Sequence, residues 1–425
     1  MAAGATRLRL AVQQWQQGGV GWRVAQQGGT LHCWWRRMAT ATESAAAASA
    51  AAVAVAVAIA PAVPPVVVPL VPVVAPSAKT DGEIEFHDHD YEWSELVPEG
   101  EATVARFAAL LADRPPAGSG TAEPVRAAAG GSGRRARRAS DPTDAYRAWQ
   151  TFHRQHAGKF FHPRTFVAAA FPELLCPTRR ALADALRGSS DATRGGDDGS
   201  GLTIMEVGCG NGSNVFPILA RNPSATLYVC DLVPAALETV VRQPAWAAAG
   251  ARARAFVWDC VTGGMPARYA AAATAASASA TAAASAAAAA PAAEWWPPPP
   301  LDGTVDIAVA MFVLSALPPA DLPGALATLY RTLAPGGMLA VRDYGLYDAA
   351  MLRAGPDNLL TPTLHVRGDG TLAHYFDLHA LTAAATAAGF RVAAASYATV
   401  RNVNRARRLE LRRVFVHAKF IKPAV

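Results

Sequence analysis

The apolar run Leu202–Val207, LTIMEV, passes straight into a glycine-rich turn, EVGCGNG at Glu206–Gly212, and this junction restricts the fold more than any other part of the chain. A short apolar run that ends in alternating glycines reads as a buried parallel strand whose end turns sharply. Gly208, Gly210 and Gly212 allow backbone angles closed to other residues and a close approach to a bound group. The dinucleotide fingerprint G-x-G-x-x-G would need glycine at position 213, where the chain carries Ser213.

Strand and helix patterns alternate from there on. A helical stretch near Asn214–Ala220 precedes the strand TLYVCD, which ends at Asp231, and Pro234 opens the next helix. RAFVWD (Arg254–Asp259), VDIAVAMFVL (Val305–Leu314) and MLAVRD (Met338–Asp343) give three more strands. A helix near Asp321–Leu333 stops at Pro335-Gly336-Gly337. A helix near Leu378–Ala388 and strand-like runs at Arg391–Val400 and Arg413–Ile421 close the chain. This alternation predicts an α/β fold, a mostly parallel sheet of seven strands with helices on both faces. Ligands of such sheets sit at the carboxyl ends of the strands. Asp231 and Asp259 end the second and third strands there, where their carboxylates can accept from ribose hydroxyls and an adenine amino group. Each alone would read as a cap or turn residue.

Composition divides the rest. Of 425 residues, the stretch Ala45–Ser77 carries no charge, and positions 267–303 are mostly alanine, serine and proline. Residues 1–80 read as a disordered leader, 81–139 as an acidic segment and linker, and 140–425 as the domain, with a capping element over 140–200 and the Ala/Pro insert over 267–303. Prolines 61, 64, 65, 69 and 72 break the apolar stretch, so no membrane span is expected. The segment DGEIEFHDHDYEWSELVPEG (Asp81–Gly100) reads as solvated and acidic; its His87 and His89 lack a second pair of ligands, and no metal is expected. Five cysteines without a C-x-x-C pair give no disulfide framework. The formal net charge of +6 is compatible with a polyanionic partner without requiring one. Arg7, Arg9, Arg23, Arg36 and Arg37 precede the first acid, Glu43. The cytoplasm is the expected compartment, with a mitochondrion or plastid if this leader is a presequence.

The G-x-G-x-G spacing and the segment RTLAPGG (Arg331–Gly337) resemble class I methyltransferases. VFPIL (Val215–Leu219), FVLSALPPADLP (Phe312–Pro323), RDYGLYDAAMLR (Arg342–Arg353), VRGDGTLAHYF (Val366–Phe376) and RRVFVHAKFIKP (Arg412–Pro423) resemble the tRNA N3-methylcytidine methyltransferases. AWQTFHRQHAGKFFHPR (Ala148–Arg164) and YEWSE (Tyr91–Glu95) extend the likeness upstream. The resemblance implies a Rossmann-like fold and an activity that forms N3-methylcytidine in the anticodon loop of specific tRNAs. It implies S-adenosylmethionine as cofactor, held by Trp149, His153, Gly208, Gly210, Gly212, Asp231, Asp259 and Met311. It implies RNA contacts drawn from Arg164, Arg342, Tyr347, Arg353, Arg367, Arg405, Arg413 and Lys419, with an aminoacyl-tRNA synthetase or another tRNA-presenting protein as a partner. The chain departs from the family at His153 and His365, both for Tyr, at Met311 for Ile and at Gly368 for Gln.

N3 of cytosine bears a lone pair and needs no general base, so alignment and tolerance of a cation are the predicted tasks. Asp343 is the candidate to stabilise that cation, and a loop or cap role is its alternative. Two other functions stay open at this level: a catalytically silent cofactor- or RNA-binding partner subunit, and a methyltransferase of another substrate.

Overall fold

The computed structural model describes residues 88–114, 142–156, 162–188, 200–266, 299–404 and 409–424. The leader, the RRARR linker, the Ala/Pro insert and Arg405 lie outside them. Two helices come first, α1 (Val97–Ala112) and α2 (Pro142–His156). The short α3 (Val167–Ala170) and α4 (Arg179–Arg187) follow. Then β1 (Thr203–Val207), α5 (Val215–Arg221), β2 (Thr226–Asp231), α6 (Pro234–Val241), α7 (Pro244–Ala249) and β3 (Ala253–Val257) alternate. Next come β4 (Val305–Met311), α8 (Leu322–Thr332), β5 (Leu333–Tyr344) and α9 (Ala349–Leu352). A small hairpin, β6 (Leu364–Val366) and β7 (Leu372–His374), precedes α10 (Leu378–Ala387) and the long strands β8 (Arg391–Asn404) and β9 (Leu409–Ile421).

Seven strands form one sheet in the order β3-β2-β1-β4-β5-β9-β8. The first five pair in parallel, and β9 runs antiparallel to both β5 and β8. The chain therefore builds outward from β1 to β3, returns to the other side of β1 with β4, and leaves a crevice where β1 and β4 lie side by side. This is the predicted sheet with different strand ends: β3 stops at Val257, two residues before Asp259, and β8 and β9 are longer than predicted. β4 ends at Met311 rather than Leu314, because Phe312 turns the backbone into the left-handed region at φ 62°. β5 begins at Leu333, so Pro335 and the two glycines lie within its first residues instead of before it.

Each face has its own core. On one, Ile204, Leu227, Val229, Ile307 and Val309 pack with Ile218 of α5 and Leu237 of α6. On the other, Met205, Ala308 and Leu339 meet Leu326 and Leu329 of α8 and Leu381 of α10. Burying each such leucine contributes on the order of 1.5–3 kcal/mol. Prolines open α6 and α7 at their first turns, where no N–H is needed. The Thr178 hydroxyl accepts from Ala181 N–H at the start of α4, and Gly188 ends that helix at φ 67°.

Residues 81–87, with His87, lie outside the described residues, and from Asp88 onward the segment expected to be solvated is instead a clasp. His89 pairs with Thr399 of β8. The Tyr91 hydroxyl donates to the Arg413 carbonyl at 2.9 Å, and Trp93 Nε1 donates to the Leu346 carbonyl at 3.2 Å. The Trp93 ring lies between Tyr347 and Tyr397, at 5.3 and 4.6 Å. Acidic residues dominated the reading of this stretch, but Tyr91, Leu96 and Phe107 carry its burial. No helix among the described residues is long and apolar enough to cross a membrane.

Candidate active site

The turn after β1 is built around Gly208, Gly210 and Gly212, at φ 61°, 56° and 83°. A Cβ on Gly208 would stand 2.7 Å from Val313, and one on Gly212 2.7 Å from Phe216, so side chains are excluded by space as well as by conformation. The Asp231 carboxylate braces the turn, accepting from Gly210 N–H at 3.0 Å and from Val233 N–H at 3.0 Å. Each oxygen keeps a further lone pair for a ligand hydroxyl. His153 is buried against Asp231 and beside Trp149; burial holds its imidazole below the usual value and so favours the neutral ring, while Asp231 pulls the other way. The structure thus brings α2 and the tip of β2 together across the glycine turn.

Beneath the turn, Glu206 is enclosed. Its Oε1 accepts from Asn214 Nδ2 at 2.6 Å, and Oε2 has no partner among the described residues. Burial pushes this carboxyl up to about 8, against the opposing influence of Asn214 and Arg164. A glycine cradle and a braced aspartate at the tip of β2 fit a ligand with vicinal hydroxyls. S-adenosylmethionine is such a molecule, and it is the cofactor.

The other candidates for that pocket sit differently. Asp259 caps its own loop, accepting from Val261 N–H at 2.9 Å and from the Thr262 hydroxyl at 3.1 Å. Met311 lies in the apolar cluster with Cys209 and Val215. Asp343 is fully enclosed, with Ser315 N–H donating to one oxygen at 3.0 Å and Tyr344 N–H to the other at 2.9 Å. Burial lifts its carboxyl to about 6, against the hydrogen bonds from Ser315 and Tyr344 and the charge of Arg367. At 0 % exposure it cannot touch a bound base. It ties the tip of β5 to the Leu314–Ala316 turn.

Several arginines expected on the surface are drawn inward. Arg164 N–H donates to the Ser213 carbonyl at 2.7 Å, and its guanidinium lies 4.8 Å from the Phe312 ring. Arg342 is buried between Phe166 and Phe415, at 5.7 and 5.0 Å. Arg413 is ion-paired with the enclosed Asp348 at 2.8 Å. Arg367 donates to the Leu372 carbonyl at 3.1 Å and lies 5.1 Å from the Tyr344 ring. Lys419 pairs with Glu173 at 2.6 Å, on the inner side of the clasped sheet. Among the described candidates only Arg353 is exposed, bonded to its own helix through the Ala349 carbonyl. Tyr347 is not a stacking platform: it is buried under Trp93, with Gly100 so close that a Cβ would meet its ring at 2.2 Å. Phe312, Phe415 and Asp348 were missed from sequence. The signals were Phe415 alternating with Arg413 and His417 along β9, and the second aspartate of RDYGLYD.

The methyltransferase domain family matches residues 172–395. An O-methyltransferase of Dictyostelium discoideum is 31% identical over 229 residues, 53% of this chain and 45% of that protein, so the chain spans less than half of that relative. A tRNA N(3)-cytidine methyltransferase of Xenopus tropicalis is 30% identical over 292 residues, 65% of this chain and 77% of that one. The chain belongs to the tRNA N(3)-cytidine methyltransferase family. A solved N1-methyltransferase of Burkholderia thailandensis, 15% identical, covers 67% of this chain and 91% of its own, with a TM-score of 0.38. Arg164 links the glycine turn to the aromatic groups beside it, its backbone N–H bonded to the Ser213 carbonyl and its guanidinium over the Phe312 ring.

Proposed function

We propose that this protein forms N3-methylcytidine in the anticodon loop of specific tRNAs. The observation that carries the reading is the similarity to the Xenopus tropicalis tRNA N(3)-cytidine methyltransferase over 77% of that protein. Next to the glycine turn, Phe312, Tyr344 and Phe415 with Arg164, Arg367 and Arg413 group flat rings with guanidinium planes, the kinds of group on which an unstacked RNA base and its phosphates are held.

S-adenosylmethionine supplies an electrophilic methyl on a sulfonium. Bound there, it would give that methyl to the cytosine N3 lone pair, the electron pair of the broken S–C bond going to sulfur and the positive charge to the base. No proton leaves N3, so the protein needs no general base and contributes orientation and exclusion of water. Gly208–Gly212 and Asp231 would hold the donor, α2 would cover it through His153, and Arg164 ties the turn to the Phe312 ring. Asp343 acts through the turn it anchors and through its charge, as a positioning residue. Base pairing hides N3, so the target must be unpaired or flipped out.

Incubation with methyl-labelled S-adenosylmethionine and total tRNA, followed by nucleoside analysis, tests the proposal. Label in N3-methylcytidine is expected. Label in another nucleoside, or in none, overturns it, the second result favouring a silent partner subunit. Adding a synthetase or another tRNA-presenting protein to the same assay tests the partner, whose presence should raise the rate on its own tRNAs. We place the protein in the cytoplasm, with a mitochondrion or plastid as the alternative if the Arg-rich leader is a presequence, and mapping the mature N-terminus tests between them.

A further inference from the structure

We propose that Trp93 and Gly100 of the clasp are positioning residues: together they hold Tyr347 in a left-handed backbone conformation that sets where Tyr344 stands. For its substrate alone the inference rests on the RNA reading above. Among the described residues, the non-glycine residues at positive φ are Phe312 and Tyr347, at 62° and 68°. Both border Tyr344. The Phe312 ring lies 5.0 Å from the Tyr344 ring, and Tyr347 follows Tyr344 by three residues in RDYGLYD. A bulky residue in the left-handed region lies above its ordinary conformation in free energy and stays there only while its surroundings hold it.

The clasp supplies those surroundings. The Trp93 ring stacks on the Tyr347 ring at 5.3 Å, 11° from parallel, and Trp93 Nε1 donates to the carbonyl of Leu346, the residue just before it. Tyr397 backs Trp93 at 4.6 Å and is itself fixed, its hydroxyl accepting from Leu378 N–H at 2.9 Å. From α1, Gly100 comes so near that a Cβ there would overlap the Tyr347 ring. Two routes lead from Tyr347 back to Tyr344. Along the chain, Leu346 N–H donates to the Phe376 carbonyl at 3.0 Å, and Phe376 N–H donates to the Tyr344 carbonyl at 2.9 Å. Through space, Asp348 accepts from Arg413 Nε at 2.8 Å and from Val414 N–H at 2.9 Å, and the Arg413 guanidinium lies 6.0 Å from the Tyr344 ring. A Tyr347 relaxed to negative φ would redirect the chain here and draw Asp348 away from both donors. A clasp that served stability alone would gain from a relaxed residue under Trp93. The strained one is explained by the loop it holds.

The test uses the full chain and initial rates of methyl transfer from labelled S-adenosylmethionine to tRNA. Trp93→Leu stays apolar but loses both ring stacks and the N–H donor. Its kcat/KM for tRNA should fall about tenfold, as Tyr347 leaves the left-handed region, while KM for S-adenosylmethionine stays within about twofold. Adding Tyr347→Gly, which adopts positive φ without penalty, should restore kcat/KM to within about threefold of the unaltered protein, although the melting temperature drops further. A double variant as slow as Trp93→Leu or slower would overturn the proposal and leave Trp93 a structural residue. So would an unchanged rate in the single variant. Should Trp93→Leu not fold, Gly100→Ala, which presses on the same ring from α1, carries the same comparison. Amide exchange over Asp343–Asp348 without RNA reads the loop directly; it should quicken in Trp93→Leu relative to β1, and unchanged exchange counts against the role. Nucleoside analysis separates the two ideas: the same loss and rescue with methyl on another base would sink the N3 assignment and leave the positioning role standing. If no tRNA is methylated at all, the exchange comparison still decides that role.

Discussion

At the scale of single residues, burial against charge decides most outcomes. Glu206 has an ordinary value near 4.5 and is pushed up to about 8 in the folded protein. Between these values the native state holds a proton that the unfolded chain has lost, so stability is full below 4.5 and falls as pH rises toward 8. Asp343 acts in the same sense but only up to about 6. His417 and His374, lowered to about 3 and about 4, act in the opposite sense below 6.5. The melting temperature should therefore decline from about pH 7 to 8, and Glu206→Gln should flatten that decline, by ~2–4 °C for each kcal/mol involved. An unchanged slope in the variant would show that Glu206 is not the titrating group. Asp231→Asn keeps the shape but offers an amide to Gly210 and Val233 N–H, and a calorimetric titration with S-adenosylmethionine should show affinity reduced by about tenfold or more. Wild-type affinity would remove Asp231 from the pocket.

At the scale of elements, the clasp is where the unexpected stability lies. Trp93 is held between two tyrosines, and truncating a packed tryptophan costs about 3–5 kcal/mol. Trp93→Ala should cost that much in chemical denaturation and should speed amide exchange in Val97–Ala112 more than in β1. Uniform acceleration across both would mean that the clasp has no stability of its own. The β6–β7 turn offers a milder test. Gly368 has open space within 4 Å of a built Cβ and stands where the resembling family has Gln. Gly368→Gln should fold normally and leave KM for RNA equal or lower; a higher KM would show that the glycine itself serves this chain.

For the whole molecule, charge count misleads. A formal charge of +6 left a polyanionic partner open without requiring one, and Arg164, Arg342, Arg413 and Lys419 are spent on rings, carbonyls and buried acids. If binding relies on a few inward guanidiniums, the logarithm of tRNA affinity should fall with that of salt with a slope of about −2 to −3, close to −0.7 to −0.9 per phosphate neutralised. A slope near −6 would restore the extended surface track.

The order of strands, the glycine turn and the acids at the tips of β2 and β3 were legible in the sequence because each depends on neighbours in the chain: period, turn geometry and strand ends are local properties. Phe312 at positive φ, the Asp348–Arg413 pair and the Trp93 sandwich were not, since each joins residues that only the sheet order β4-β5-β9-β8 makes adjacent. The sequence by itself determined the glycine turn that closes β1. Only the tertiary structure decided which arginines face the cleft and which acids are sealed beneath it, because burial and pairing are set by what packs on top.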